Sequence, residues 1–199
     1  MNLPKIAPNC MTARVLLAFL ATAGLYYVNI MPAVVDGLKV GLGFTNRDAG
    51  LVGSANMYGA ACGAFIVAFF IRRLNWRLFA HFFLFCLIAF DAISIFVTDP
   101  FGLMSVRFVH GFFGGALVGL GFSIMARTEA PDRTFGMLLL VQALAGGLGV
   151  MTLPLLVPHF GTQVLFIALI LFSCITLLFL QFLPDYPHIV QGKQDLVQT

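Results

Sequence analysis

Six apolar stretches, each about as long as a bilayer is thick, constrain this chain more than any other feature. They run over roughly 14–36, 48–71, 76–97, 100–126, 134–157 and 160–183. A helix needs about 20 apolar residues to cross a hydrocarbon core of about 30 Å, and each stretch is that long. The runs are continuously apolar rather than alternating every second residue, which excludes strands of a barrel. Some breaks are as short as Thr98-Asp99-Pro100, enough only for a tight turn. The expected fold is therefore an all-α integral membrane domain of six transmembrane helices. It occupies 14–183, between a cytoplasmic N-terminus at 1–13 and a cytoplasmic tail at 184–199.

Composition agrees where it bears on this. Apolar residues are 60% and charged residues 10% of the 199, far from the balance of a soluble domain. The net charge of +3 includes no basic run interleaved with aromatics, so nucleic acid is not an expected partner. The first stretch follows a basic flank (Lys5, Arg14), but its apolar run exceeds that of a secretory signal and no small-x-small cleavage site follows, so it reads as a retained helix. The four cysteines (Cys10, Cys62, Cys86, Cys174) lack metal-like spacing and read as small buried hydrophobes. Neither a metal nor a cofactor is expected.

Lys and Arg set the orientation. With the N-terminus inside, Lys5, Arg14, Arg72, Arg73, Arg77, Arg127, Arg133 and Lys193 are inner, while only Lys39 and Arg47 are outer. That bias places both ends in the cytoplasm, and the expected location is a cell membrane, the bacterial inner membrane. Local signals mark several helix ends. Thr45-Asn46-Arg47-Asp48 has the spacing of a capping box before the second span, Pro131-Asp132-Arg133 precedes the fifth, and Pro184-Asp185-Tyr186-Pro187 ends the sixth.

Inside the spans, small residues recur four apart: Gly59 and Gly63 on the second, Gly111, Gly115 and Gly119 on the fourth. Such stripes let helix backbones approach and gain van der Waals contact in lipid. The fifth span carries Gly146, Gly147 and Gly149 before Pro154, which predicts a kink. Only Asp91 and Arg107 sit clearly within the hydrocarbon, with His110 one turn beyond the latter. An unpaired charge there costs about 2.5–3.5 kcal/mol. At a rise of 1.5 Å per residue both lie about 10 Å below the same surface on consecutive antiparallel helices, so the two can pair. The pair reads either as a structural lock or as a functional site. For Arg107 a position facing a cavity is expected, while His110 reads either as serving a proton-coupled step or as a histidine packed against a neighbouring helix. Other polar residues at membrane depth are Tyr26, Tyr27 and Asn29 on the first span, Asn56 and Tyr58 on the second, and Gln142 on the fifth. Tyr26, Asn29, Asn56 and Gln142 join Asp91, Arg107 and His110 as candidates for solute binding or proton coupling.

Three stretches resemble the N-terminal half of a major facilitator superfamily transporter. They are Leu42-Gly43-Phe44-Thr45 through Ala49-Gly50-Leu51, the fourth-span pattern Arg107-x-x-x-Gly111-x-x-x-Gly115, and the turn Arg72-Arg73-Leu74-Asn75-Trp76-Arg77. The last stands in the place of that family's D-R-x-G-R-R loop. It departs from the pattern: Arg72 replaces the acidic residue, Asn75 the glycine and Trp76 one arginine. The resemblance implies two related three-helix repeats, 14–97 and 100–183, and a carrier that moves a small solute by alternating access, with the fourth-span arginine linked to proton coupling. It also implies a second six-helix half, as a homodimer or a separate chain, because members of that family have twelve helices. The competing readings are a membrane scaffold that transports nothing and an inactive truncated carrier. Catalysis is not expected: Gly121-Phe122-Ser123-Ile124-Met125 is not GxSxG, and HExxH, paired aspartates and a phosphate loop are all missing.

Overall fold

A computed structural model describes residues 6–8, 10–71 and 75–186. Among the described residues the chain is all-α. Its helices are α1 (Met11–Asn29), α2 (Met31–Leu42), α3 (Asn46–Phe70), α4 (Trp76–Ser94), α5 (Pro100–Met125), α6 (Pro131–Phe160) and α7 (Gln163–Leu180). Six of them are long and apolar enough to cross a membrane, and the exception is the 12-residue α2.

The exception corrects the first span. The expected 14–36 is in fact α1 followed directly by α2, a path from Met11 to Leu42 broken at Ile30 (φ −101°, ψ 10°). Pro32 supplies the cause, since it brings no N–H and its ring crowds the preceding turn. The chain still bonds across the break, with Ile30 N donating to Tyr26 O and Val34 N to Ile30 O. Asp36 and Lys39 end the apolar run in the sequence but do not end the helix; Gly43, at φ 69°, does so by adopting the left-handed conformation of a helix C-terminus.

Other ends follow their signals. Thr45 Oγ1 accepts from Asp48 N at 3.1 Å and donates to the Asp48 carboxylate at 2.7 Å, capping α3. Pro100 and Pro131 sit in the first turns of α5 and α6, where a missing N–H is harmless. Helix α6 continues through Pro154 and on to Phe160.

Helices α1 and α5 form the centre. Helix α5 packs on α3, α1 and α4; α1 also packs on α6 and α7, and α4 on α7. The α3–α5 seam is the tightest, and glycine explains why. A Cβ on Gly59, Gly63, Gly111 or Gly115 would collide with a backbone carbonyl across the seam: Phe108, Phe112, Asn56 and Ala60 respectively. Gly119 lies past this close stretch, with Val67 Cγ1 the nearest atom at 3.6 Å. A second seam joins α1 and α6, where Gly146 faces Asn29 and Gly149 faces Ile30. The cysteines do not follow expectation: Cys62 is exposed on α3, and Cys10, Cys86 and Cys174 are half-buried.

At the end of the bundle where α4 begins and α7 ends, Arg77 holds α7. Its guanidinium donates to the carbonyls of Leu180 (3.3 Å) and Leu183 (2.6 Å), pairs with Asp185 (3.1 Å) and lies over the Trp76 ring. A cation on the unpaired carbonyls of a helix C-terminus is favourable on both hydrogen-bond and dipole grounds. Arg72 and Arg73, the other two residues of this loop motif, lie outside the described residues.

Candidate functional site

The α3–α5 glycine seam positions the site. By bringing the two backbones together beside Gly111, it places the Asn56 amide within reach of the next turn of α5. Asn56 Nδ2 donates to the Arg107 carbonyl at 3.1 Å and lies 2.9 Å from His110 Nδ1. Arg107 and His110 are three apart on α5, so both face the same way, toward α4.

Helix α4 answers with Asp91 and Ser94, again three apart. Arg107 Nη1 donates to Asp91 Oδ1 at 2.8 Å, and Nη2 donates to the Phe90 carbonyl at 3.0 Å and to Ser94 Oγ. Ser94 can accept because its own hydroxyl proton goes to Phe90 O. His110 Nε2 stands 3.2 Å from the same Asp91 Oδ1. The rings of Tyr27 (α1) and Phe166 (α7) close over the guanidinium, with centroids 5.4 and 5.0 Å away. Five helices thus meet at one buried charge pair.

Burial is complete. Arg107 is 0% exposed, Asp91 1%, Asn56 2% and His110 3%. The expected pairing of Asp91 with Arg107 is present. The expected cavity-facing position of Arg107 is not, because the aromatic rings and α4 enclose its side chain.

The cluster is not fully satisfied. Asp91 Oδ2, Arg107 Nε and the Tyr27 hydroxyl are buried without a hydrogen-bond partner. Each such group is expensive in a low-dielectric interior. The pair is electrically balanced, and Asp91 Oδ2 is the oxygen of its carboxylate that has no partner.

The remaining candidates lie elsewhere. Tyr26 stacks on Phe172 at 4.4 Å and faces Gly149 of α6. Asn29, one turn further along α1, packs against Gly146, and its Nδ2 has no partner. Gln142 is half-buried on α6. Tyr58 is 70% exposed on α3 and does not join the cluster. The break at Ile30 opens a groove of about 590 Å³ lined by Val28, Met31, Pro32, Val35, Asp36 and Lys39.

Reading the sequence missed Ser94 and Phe166. Ser94 had a usable signal, since it shares a helix face with Asp91. Phe166 had none: it is one of 22 phenylalanines, and only the fold brings it over Arg107.

Residues 15–196 match the model of the family described as Major Facilitator Superfamily. The chain is also 24% identical over 163 residues to a Bacillus subtilis (strain 168) protein named "Putative niacin/nicotinamide transporter NiaP". That alignment covers 80% of this chain and 41% of the relative, so the chain spans about two fifths of the relative's length.

Proposed function

This chain belongs to the Major Facilitator Superfamily, and from that premise we propose that it forms one six-helix wall of a secondary transporter that moves a small solute by alternating access, coupled to protons. The observation that carries the reading is the enclosed Arg107–Asp91–His110 cluster, in which Asp91 Oδ1 is shared and Oδ2 has no partner. Intramembrane charge of this kind is costly unless it is used or paired, and here it is paired with an oxygen to spare.

The chemistry follows from counting charge. The guanidinium and the carboxylate cancel. A proton arriving at Asp91 Oδ2 neutralises the carboxylate and leaves Arg107 as an uncompensated buried cation. That state is unfavourable by several kcal/mol, so it favours either a shift of α4 against α5 or the approach of an anionic solute. Loss of the proton restores the pair. The cluster would thus link proton occupancy to helix position, which is what a coupled carrier requires.

Solute contacts are assigned to the α1 side. Asn29 Nδ2 is a buried donor without a partner, and the groove at the Pro32 break begins at its chain neighbour Val28. A second six-helix half, a homodimer mate or a separate chain, would close that groove. The Lys and Arg distribution supports an orientation with both ends cytoplasmic, in a cell membrane taken here to be the bacterial inner membrane.

The name of the Bacillus relative suggests nicotinic acid and nicotinamide as first probes. Uptake of each is measured in cells expressing the chain, with and without a protonophore, and again for Arg107→Ala. The reading expects protonophore-sensitive uptake that the substitution reduces at least tenfold. Proton-linked uptake unchanged in Arg107→Ala would remove the role assigned to Arg107. A strictly monomeric solubilised particle that binds no solute would favour the scaffold reading instead.

A further inference from the structure

We infer that Asn56 is a positioning residue that locks His110 as the neutral imidazole with its proton on Nε2, so that the proton-accepting group of the cluster is Asp91 and not the histidine. The inference deepens the proton-coupling reading above and rests on it for its functional meaning. Its geometry stands separately.

Two contacts of one nitrogen decide the matter. An asparagine amide has a donor end and an acceptor end that look alike in outline. Here the orientation is set by the Arg107 carbonyl, an obligate acceptor, which lies 3.1 Å from Asn56 Nδ2. Turning the amide over would set two carbonyl oxygens against each other in a buried site. With Nδ2 so placed, its second hydrogen points to His110 Nδ1 at 2.9 Å. A nitrogen that accepts a hydrogen bond carries no proton, so Nδ1 is bare. The ring's one proton then sits on Nε2, where it is donated to Asp91 Oδ1 at 3.2 Å. Both ring nitrogens are used, and an imidazolium would lose the Asn56 contact.

The groups that face the ring are Asp91 from α4, Asn56 from α3, Tyr27 from α1, its ring centroid 5.9 Å away, and Arg107 from α5 itself. His110 gives one hydrogen bond to the oxygen that Arg107 also holds, so Asp91 Oδ1 is doubly occupied and an incoming proton is directed to Oδ2. The glycine seam also acquires a chemical role: only with Gly111 against the Asn56 backbone does the amide reach both acceptors.

The test is nitrogen NMR of the full chain in lipid, labelled with ¹⁵N-histidine, and the His110 signals are those lost in His110→Gln. At neutral pH the expected spectrum shows one protonated and one bare ring nitrogen, with the proton on Nε2. A proton on Nδ1, or on both nitrogens, overturns the inference. Asn56→Asp, which replaces the donor by an acceptor, is expected to bring a proton to Nδ1. A ring in that variant still protonated only on Nε2 would show that Asp91 alone sets the tautomer, and would remove Asn56 from the role. The readout needs no transport. A failed uptake assay with the expected spectrum discards the coupling and keeps the lock, and the reverse result discards the lock alone.

Discussion

Arg107 Nη1 and Asp91 Oδ1 stand 2.8 Å apart on adjacent helices, enclosed so fully that neither side chain exceeds 1% exposure. Contact at that distance without water makes each charge depend on the other. Removing one partner leaves the other buried and uncompensated, which destabilises by about 3–5 kcal/mol, whereas replacing both by apolar residues of similar volume is far less damaging. Unfolding in detergent is therefore expected to show large losses for Arg107→Met and for Asp91→Leu, and a smaller loss for the two combined. Simple addition of the two losses would mean that the pair does not hold the bundle.

The glycine seam predicts a sharp positional contrast. Gly115→Ala would drive a methyl group into the Ala60 carbonyl, and Gly63→Ala into that of Phe112. Overpacking of this kind costs about 1–3 kcal/mol. Gly119→Ala meets only ordinary contacts, and Gly147→Ala meets nothing within 4 Å. Melting temperatures in detergent should fall for the first two and hold for the last two.

Arg77 is predicted to matter at the far end of the bundle, by holding α7. Arg77→Ala frees the Leu180 and Leu183 carbonyls, with an expected loss of about 1–2 kcal/mol after allowance for its partial exposure. Hydrogen exchange should accelerate over 178–186 and stay unchanged in α5. Acceleration spread over the whole bundle would instead assign Arg77 a global role.

Tyr186 gives a pH prediction outside the membrane. Its hydroxyl donates to the Pro8 carbonyl at 3.0 Å, and burial is the main cause pushing its pKa up to about 12. The folded value lies above the ordinary value near 10, so the neutral phenol is the form that folding favours. The contribution is complete below pH 10 and is lost as pH rises toward about 12. Phenolate absorbance, compared between the chain and Tyr186→Phe, should assign to this residue a titration well above pH 10. Titration near pH 10 would mean that the N-terminal segment is not docked there.

The spans were legible because lipid leaves the backbone few options: 20 apolar residues read as a helix almost without regard to neighbours. The Asp91–Arg107 pair was legible for the same reason, since two costly charges at equal depth on adjacent helices leave few alternatives. The break at Ile30 was not read, although Pro32 lies two residues on, and Asp36 and Lys39 hid the continuation to Leu42. A hydropathy window stops at charges, while a helix stops only where its hydrogen bonds do. The enclosure of Arg107 was also illegible, because rotation of α1 and α7 decides whether Tyr27 and Phe166 cover it. Asn56 could be named as polar and deep, but its two acceptors appear only when Gly111 sets the spacing between α3 and α5.

In the proposed cycle Asp91 takes a proton as solute moves. The decisive measurement is external pH in a lightly buffered suspension of cells expressing the chain, recorded on addition of nicotinic acid or nicotinamide. Alkalinisation in step with uptake is expected, and none in Asp91→Asn, which keeps the side chain's size but cannot exchange a proton. Alkalinisation of equal size in Asp91→Asn would contradict it.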